Sequence, residues 1–231
     1  EMVVGFLFCY LDIRLYSFYG LFGVYELPIW LSYVITIAFI IVVCNAYNLI
    51  DGIDGQAGTQ ALAVFLFLAG FLFHLIYATD VLHQDTFFAN ANFWMIAFVA
   101  IIGSLIGFLV FNWQPAKIFM GDTGSLFIGT LIALSIIMSM NYSGADPILI
   151  YDYEIKAKIL VFPMFFFLPF ADTLRVFVSR IRRGKSPFSA DKTHIHHFLL
   201  RTGYSHQRTA ITNFVIQAIV SIISIIIAFF I

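Results

Sequence analysis

Residues 31–55 read LSYVITIAFIIVVCNAYNLIDGIDG, and this stretch decides the fold class. No charged side chain interrupts the run from Leu31 to Tyr47, whose length is at the lower end of what a helix needs to cross a bilayer. A polar segment rich in amides and carboxylates begins at Asn45 and ends at Gly55. The stretch therefore predicts a transmembrane helix that brings a polar motif to one membrane surface.

Comparable apolar runs recur along the chain. The sequence is 61% hydrophobic and 11% charged, with a mean hydropathy of +0.96, which lies outside the range of soluble globular proteins. We predict an all-α polytopic integral membrane protein with about seven transmembrane helices in a single membrane-embedded domain, residues 1–231. The predicted spans are Leu31–Tyr47, Thr59–Ala78, Phe93–Phe111, Ser125–Met140, Ala157–Val178 and Ala210–Ile231, preceded by a partial span at Met2–Leu11.

The connections between these spans fall into two sets on opposite faces, because each span changes the side of the membrane. The set with eight Lys and Arg residues comprises Asn45–Gly58, Asn112–Gly124 and Ser179–Arg208. The set with only Arg14 and Lys156 comprises Asp12–Pro28, Thr79–Asn92 and Asn141–Lys156. Loops rich in Lys and Arg stay in the cytoplasm, so we predict that the first set faces the cytosol.

Composition and local patterns argue against several other classes. The net charge of -1 argues against nucleic-acid binding by bulk charge. Cys9 and Cys44 lie in apolar runs without metal-ligand spacing, so neither a disulfide framework nor a zinc site is expected. No basic segment or small-residue cleavage site follows Glu1, so no cleavable signal is expected.

The first predicted cytosolic loop holds Asn45, Asn48, Asp51 and Asp54, and a glycine follows each acid. Two carboxylates three residues apart can point at one centre, while the glycines let the backbone approach a ligand closely. Acids at a membrane boundary cost free energy, which favours a functional role. The alternative interpretation is a solvated turn, since Asn and Asp-Gly are common in turns.

The second loop runs from Asn112 through Lys117 and enters the next predicted helix at Gly121-Asp-Thr-Gly-Ser125. A helix start of this kind can aim backbone N–H groups at an anion, and Asp122 offers a hard oxygen ligand to Mg²⁺. Alternatively, Asp122 serves only as the N-cap of that helix.

The third loop contains the basic segment Arg180–Lys185 and the pattern His194-Ile-His196-His197. A basic segment beside a span is typical of a topogenic or lipid-headgroup patch, which is the interpretation we favour for Arg180–Lys185. The histidines can bind a transition metal, but with Lys192 and Arg201 nearby they suit a phosphoryl group better. Carboxylates, amides, a helix start and cationic groups on one membrane face together favour phosphoryl transfer between a soluble and a lipid substrate.

Other classes leave distinct patterns. A transporter or channel predicts polar residues near span centres, whereas the acids and histidines described above cluster at span ends. The CDP-alcohol phosphatidyltransferases carry an Asp-Gly-x-x-Ala-Arg pattern that does not occur here. A non-catalytic lipid-binding or scaffold subunit is a third alternative.

Three ordered motifs resemble those of the polyprenyl-phosphate N-acetylhexosamine-1-phosphate transferases, the superfamily of WecA-like sugar-phosphate transferases and MraY-like translocases. They are Asn45-Ala-x-Asn-x-x-Asp-Gly-x-Asp-Gly55, Phe119-Met-Gly-Asp-x-Gly-Ser-x-x-x-Gly129 and His194-x-His-His197. The similarity extends from about residue 1 to about residue 210, including Gly23-Val-Tyr-Glu-Leu-Pro28 and Lys185-Ser-Pro-Phe-Ser-Ala-Asp-Lys192. The resemblance therefore covers most of the chain.

The resemblance implies transfer of an N-acetylhexosamine 1-phosphate from a UDP-sugar to undecaprenyl phosphate, with release of UMP, as the first membrane step of a cell-envelope polysaccharide. It implies Mg²⁺ as cofactor, with Mn²⁺ as a possible substitute, and a bacterial inner membrane with the active site facing the cytosol. The His-x-His-His pattern resembles the branch that uses simple UDP-N-acetylhexosamines, and UDP-GlcNAc is the first expectation. Other expected partners are the lipid bilayer and a second copy of the chain in a homodimer, with no nucleic acid.

Carried over motif by motif, the resemblance also implies roles for single residues. Asp122 and Asn48 are the expected metal ligands. The expected catalytic residues are Asp51, Asp54, His194, His196 and His197. The expected substrate-binding residues are Asn45, Asn48, Lys117, Lys192, Gly124 and Ser125.

One feature of the family is missing. Its members carry an Asp-Asp-rich motif after an early transmembrane helix, whereas no Asp-Asp pair occurs here and Glu1 falls shortly after the expected place. Two interpretations stay open. The chain is either the C-terminal part of a longer enzyme or a naturally truncated, catalytically inactive paralogue.

Overall fold

The computed structural model describes residues 1–78, 85–141, 149–150, 153–154, 158–186 and 193–228. Nearly all of these residues are helical. The helices are α1 (Met2–Tyr10), α2 (Ile29–Ile50), α3 (Gln56–Ala78), α4 (Asp85–Asn112), α5 (Gly121–Asn141), α6 (Lys158–Met164), α7 (Phe167–Arg182), α8 (Ile195–Arg201) and α9 (His206–Ala228). A 3-10 turn spans Leu21–Gly23, and the two-residue strands β1 (Leu149–Ile150) and β2 (Tyr153–Glu154) pair antiparallel, Leu149 opposite Glu154.

Within the described parts of the chain, five helices are long and apolar enough to cross a membrane: α2, α3, α4, α5 and α9. Their surfaces support this assignment. On α4, for example, Ile96 and Val110 are 71% and 69% exposed, although the helix carries no charged residue from Ala91 to Asn112. An apolar face of this size needs lipid around it. The all-α polytopic prediction is confirmed.

The two remaining predicted spans take shorter forms. The partial span at Met2–Leu11 becomes the nine-residue helix α1. The predicted span Ala157–Val178 is wrong as one continuous helix, because α6 ends at Met164 and α7 begins at Phe167. Pro163 and Pro169 flank this break, and proline removes a backbone donor and disfavours a straight helix.

Gln217 of α9 compensates for the break. In an unbroken helix the Leu168 N–H would bond to the Met164 carbonyl four residues earlier. Here the Gln217 side chain stands between them, since its Oε1 accepts from Leu168 N–H at 2.8 Å and its Nε2 donates to the Met164 carbonyl at 2.9 Å. Gln217 is fully buried. One amide therefore satisfies both backbone groups and lets α7 take a direction of its own.

Helices α2 and α5 run antiparallel at the centre of the bundle. Their close approach depends on Gly129, because a Cβ added there would lie 2.9 Å from Cys44 Cα. The C-terminal end of α2 consequently lies beside the N-terminal end of α5. We call this end of the bundle, with helix α8 beside it, the motif end.

Candidate active site

The three predicted motif loops meet at the motif end. The Asn48 side chain of α2 contacts the start of α5 through Asp122 and Ser125. Gly52, in the turn after α2, lies against the His196 ring of α8: a Cβ built on Gly52 would be 2.8 Å from His196 Nε2. Residues far apart in sequence therefore form one site.

Asn48 joins the first two motifs. Its Nδ2 donates to Asp122 Oδ1 at 3.2 Å and to Ser125 Oγ at 2.8 Å. Asp122 lies in the first turn of α5, which begins at Gly121, so it is not the N-cap of that helix. Its carboxylate instead belongs to the contact between the two helices.

Asp51 follows the last residue of α2 and lies near Asp122. Burial and the charge of Asp122 raise the pKa of Asp51, while a hydrogen bond from the Gly121 N–H acts in the opposite direction. Burial is the larger cause of this rise in pKa, and the smaller cause is the negative charge of the nearby Asp122. Two acidic groups this close together would be stabilised by a cation.

The donor atoms around Asp122 fit a magnesium ion only in combination with a ligand. Among the described residues, no three His, Cys, Asp or Glu side chains are grouped so as to hold a metal by themselves. Mg²⁺ commonly takes one or two carboxylates and completes its shell with water and substrate phosphate, which Asp51 and Asp122 allow. Asn48 offers Nδ2 to Asp122, so serving as a ligand requires its amide to turn.

Asp54 has surroundings different from those of Asp51. Its Oδ2 accepts from the Ala116 N–H at 3.2 Å and lies 3.5 Å from His206 Nδ1 at the start of α9. The neighbouring Gly55 N–H donates to Asn112 Oδ1 at 3.0 Å. The turn after α2 is thus bonded to the second loop through Asp54 and Gly55, whereas Asp51 lies near Asp122.

The histidines of the third motif differ in burial. His194 and His196 are buried, 4% and 2% exposed, whereas His197 is half-buried. The rings of His194 and His196 are nearly parallel, 7° apart, with centroids 5.7 Å apart, and His197 lies 4.3 Å from His196. Burial, then the neighbouring His197 and His194, lower the pKa of His196 to about 4. His196 is consequently neutral at physiological pH.

Asp172 of α7 holds the histidine motif in place. Its Oδ2 lies 2.9 Å from His194 Nδ1, and its Oδ1 accepts from the Ile195 N–H at 3.0 Å and from Arg175 at 2.8 Å. Sequence reasoning missed this residue because it treated Ala157–Val178 as an ordinary span. The signal was an acid and an arginine three residues apart within an apolar segment.

A cavity of about 700 Å³ opens beside these groups. Its lining is of two kinds. The polar residues and glycine are Asn45, Asn48, Gly52, Thr173, Arg180, His194, His196 and His197, and the apolar residues are Ile41, Val42, Leu49, Phe170, Leu174 and Phe177. The volume lies within the range of sites for small ligands and cofactors.

Arg180 lines this cavity and differs from the rest of its basic segment. It is 4% exposed, whereas Arg182, Arg183 and Lys185 are exposed. The interpretation of the whole segment as a topogenic patch therefore fails for Arg180. Burying an arginine beside a cavity is costly unless it acts on an anionic partner or ligand.

The other predicted residues have varied surroundings. Asn45 is exposed at the cavity and donates to Glu1 Oε2 and to the Ile41 carbonyl. Gly124 lies in the first turn of α5, where a Cβ would approach Met120 Cγ to 2.7 Å. Lys117 is exposed. Lys192 and most of the Lys185–Lys192 motif lie outside the described residues, and all residue roles stay predictions.

The family model described as glycosyl transferase family 4 matches residues 1–140 of the chain. This range includes the first two motifs, with Asn48, Asp51 and Asp122.

Several relatives match a larger part of the chain. The chain is 34% identical over 199 residues to decaprenyl-phosphate N-acetylglucosaminephosphotransferase of Mycobacterium tuberculosis, covering 82% of this chain and 46% of the relative. It is 34% identical over 204 residues to the probable undecaprenyl-phosphate N-acetylglucosaminyl 1-phosphate transferase of Bacillus subtilis (85% and 48%). It is 33% identical over 214 residues to phospho-N-acetylmuramoyl-pentapeptide-transferase of Flavobacterium psychrophilum (85% and 47%). The chain spans about half the length of these curated relatives.

Proposed function

This chain belongs to glycosyl transferase family 4, and we propose that it forms part of an enzyme that transfers GlcNAc 1-phosphate from UDP-GlcNAc to undecaprenyl phosphate. The products are UMP and a lipid-linked sugar diphosphate. The printed names of the relatives support a polyprenyl-phosphate acceptor and an N-acetylglucosamine donor. We place the reaction at the cytosolic face of a bacterial inner membrane, as the first membrane step of a cell-envelope polysaccharide.

The observation that carries this proposal is the composition of the cavity. Its lining offers amide, imidazole and guanidinium groups as well as aliphatic and aromatic side chains. A polyprenyl phosphate needs both, because its phosphate requires cationic or hydrogen-bonding groups and its chain requires an apolar surface. A soluble sugar nucleotide alone would not require the aliphatic and aromatic side chains.

In the reaction, a phosphate oxygen of the lipid attacks the phosphorus that carries GlcNAc. A new phosphorus–oxygen bond forms, and the bond to the oxygen of the UMP leaving group breaks. Phosphoryl transfer depends mostly on positioning and charge neutralisation. Arg180 and His197, which line the cavity, are suited to hold phosphate oxygens, and Asn48, which also lines it, bonds to Ser125 near the start of α5.

We also propose that Mg²⁺ is the cofactor, held by Asp122 together with Asn48 and with Asp51 nearby. When bound, the ion would neutralise charge on the diphosphate. The nearness of Asp51 to Asp122 supports the proposal, because after burial the charge of Asp122 is the next cause that raises the pKa of Asp51. Mn²⁺ has the same preference for oxygen ligands and is expected to substitute.

The experiment uses membranes that carry the full-length gene product, with radiolabelled UDP-GlcNAc, undecaprenyl phosphate and Mg²⁺. Labelled lipid and UMP should form together, should disappear with EDTA, and should return with Mg²⁺ or Mn²⁺. Matched membranes with the Asp122→Ala variant serve as the control. Failure with UDP-GlcNAc and with other UDP-N-acetylhexosamines would contradict the transferase proposal and favour an inactive paralogue or a transporter.

Two further proposals concern the protein in its membrane. Cytosolic orientation predicts that a cysteine introduced at the exposed Arg183 reacts with an impermeant reagent in inside-out vesicles and not in intact cells. A homodimer predicts twice the protomer mass by light scattering of the detergent-solubilised enzyme. The opposite labelling pattern, or a monomer mass, would contradict the respective proposal.

A further inference from the structure

The contacts of Asp172 lie entirely within the protein. Its side chain is 4% exposed and that of His194 is 5% exposed, with 2.9 Å between Oδ2 and Nδ1. The other oxygen, Oδ1, accepts from the Ile195 backbone and from the Arg175 guanidinium. The two oxygens therefore have different partners, since Oδ1 contacts the start of α8 and Arg175, and Oδ2 contacts the imidazole.

These contacts decide which nitrogen of His194 carries a proton. A carboxylate that faces a guanidinium and a backbone N–H is held as an ionised acceptor. An ionised carboxylate cannot donate, so His194 Nδ1 must carry the hydrogen and donate it. In the neutral ring, Nε2 is then the acceptor nitrogen.

His194 lines the same cavity as Asn48, Arg180 and His197, so this residue borders the space in which a substrate would bind. We propose that Asp172 is a positioning residue that fixes the orientation and tautomer of His194, so that Nε2 accepts a hydrogen bond from a substrate hydroxyl. That hydroxyl belongs to the sugar or to a protonated phosphate. The inference rests on the proposed transferase function and adds one residue to its machinery.

A purely structural role for Asp172 would not require all of the contacts that its carboxylate makes. Capping the start of α8 needs only an acceptor for the Ile195 N–H, which asparagine or serine also supplies. Capping does not explain why the second carboxylate oxygen of Asp172, Oδ2, contacts the buried imidazole of His194. The arrangement corresponds to the general pattern in which a carboxylate orients a histidine that acts on substrate.

The test is a double-mutant cycle in the full-length enzyme with Asp172→Asn, His194→Gln and the double variant. An asparagine at 172 must turn its NH₂ toward a donor group, and facing His194 it would move the ring proton to Nε2. We expect each single substitution to lower kcat by about 100-fold, with KM changing less, which is a typical contribution of a positioned acid–base group. We expect the double variant to be no slower than the slower single variant.

The opposite result would be a loss of kcat in the double variant equal to the product of the two single losses, about 10⁴-fold. The two side chains would then act independently, and the inference would be wrong. Asp172→Glu keeps the carboxylate and should retain more activity than Asp172→Asn. If Asp172→Asn does not fold, Asp172→Ser, which keeps an acceptor for the Ile195 N–H, replaces it in the cycle. Asp12→Asn is the control for loss of a carboxylate away from the site, since Asp12 also pairs with an arginine at 2.9 Å but is exposed and lies at the other end of α2.

Failure of the proposed function has a different signature. If the wild-type enzyme forms no labelled lipid, the transferase proposal is contradicted, and the pairing is read from the thermal unfolding midpoints of the same four proteins. Losses in midpoint that do not add would then support the Asp172–His194 contact. Losses that add would contradict it.

Discussion

The two ends of helices α2 and α5 differ in how their polar groups are satisfied. At the end opposite the motif end, Arg14 pairs with Asp12 at 2.9 Å, donates to Ser32 Oγ at 3.0 Å and lies 4.3 Å from the centre of the Tyr16 ring. Asn141 donates to the Arg14 carbonyl at 2.7 Å and accepts from the Tyr19 hydroxyl at 2.7 Å. We call this network the Arg14 end.

The motif end combines balanced and unbalanced charge. Asp172 pairs with Arg175 and His194, whereas Asp51 lies close enough to Asp122 to feel its like charge, and the buried His196 adjoins two further imidazoles. Like groups brought together in a partly buried place cost stability unless a ligand compensates them. The polar groups of the Arg14 end are therefore paired with one another, as in a structural network. The motif end keeps like groups close together, as expected of a site that binds a ligand.

The largest expected effect comes from removing charge at the motif end. Asp122→Ala should lower kcat of the full-length enzyme by about 1,000-fold, because metal-assisted stabilisation of a phosphoryl transition state contributes several kcal/mol. The thermal unfolding midpoint should not fall, because the substitution removes the repulsion between the Asp122 and Asp51 carboxylates. Labelled-lipid formation and differential scanning fluorimetry measure the two quantities, with Asp12→Ala as the control. Near-normal, metal-dependent turnover would remove Asp122 from the site.

The second prediction separates two arginines of one helix end. Arg180→Ala should lower kcat/KM by about 30-fold, in line with the loss of a charge-assisted hydrogen bond to phosphate, whereas the exposed Arg183→Ala should change it less than twofold. Initial rates at several UDP-GlcNAc and lipid concentrations give both values. Equal effects of the two substitutions would return Arg180 to the topogenic patch.

The third prediction concerns the Arg14 end. Asn141→Leu removes the bonds to the Tyr19 hydroxyl and the Arg14 carbonyl, and should lower the free energy of unfolding by about 1–2 kcal/mol. The turnover number at permissive temperature should stay unchanged, because Asn141 lies at the far end of α5. Thermal unfolding and the lipid assay check the two parts. A selective loss of kcat would mean that the two ends are coupled.

The smallest expected effect is a pH dependence of stability from His196. Its pKa is about 4 in the folded protein, against about 6.5 for an ordinary histidine, so the unfolded chain binds the proton more readily between these values. The contribution to stability is therefore lost as pH falls from about 6.5 to about 4. Unfolding midpoints across this range should fall less steeply for His196→Gln. An identical slope in both proteins would contradict the lowered pKa.

Local patterns predicted much of this protein. Apolar runs such as Leu31–Tyr47 identify helices because a bilayer imposes one length and one polarity on every span, and the three motif loops were assigned to one face by counting spans. The motif residues themselves, including Asn48, Asp122 and His196, were recognised from their spacing. The structure brings these three together at one end of the bundle.

Other features depend on contacts between distant segments. No local pattern indicates that Gln217 of α9 replaces a backbone hydrogen bond between α6 and α7, or that Asp54 bonds to the second loop while Asp51 faces Asp122.

The sequence by itself therefore determined that the chain is a helical membrane protein, and which polar residues belong to its motifs, because the length and polarity of a run are local properties. The tertiary structure alone decided that Asp172 reaches His194 and that Arg180 is buried while Arg183 is exposed. The physical reason is that burial and pairing depend on which helices pack together. That packing is set by all the helices at once.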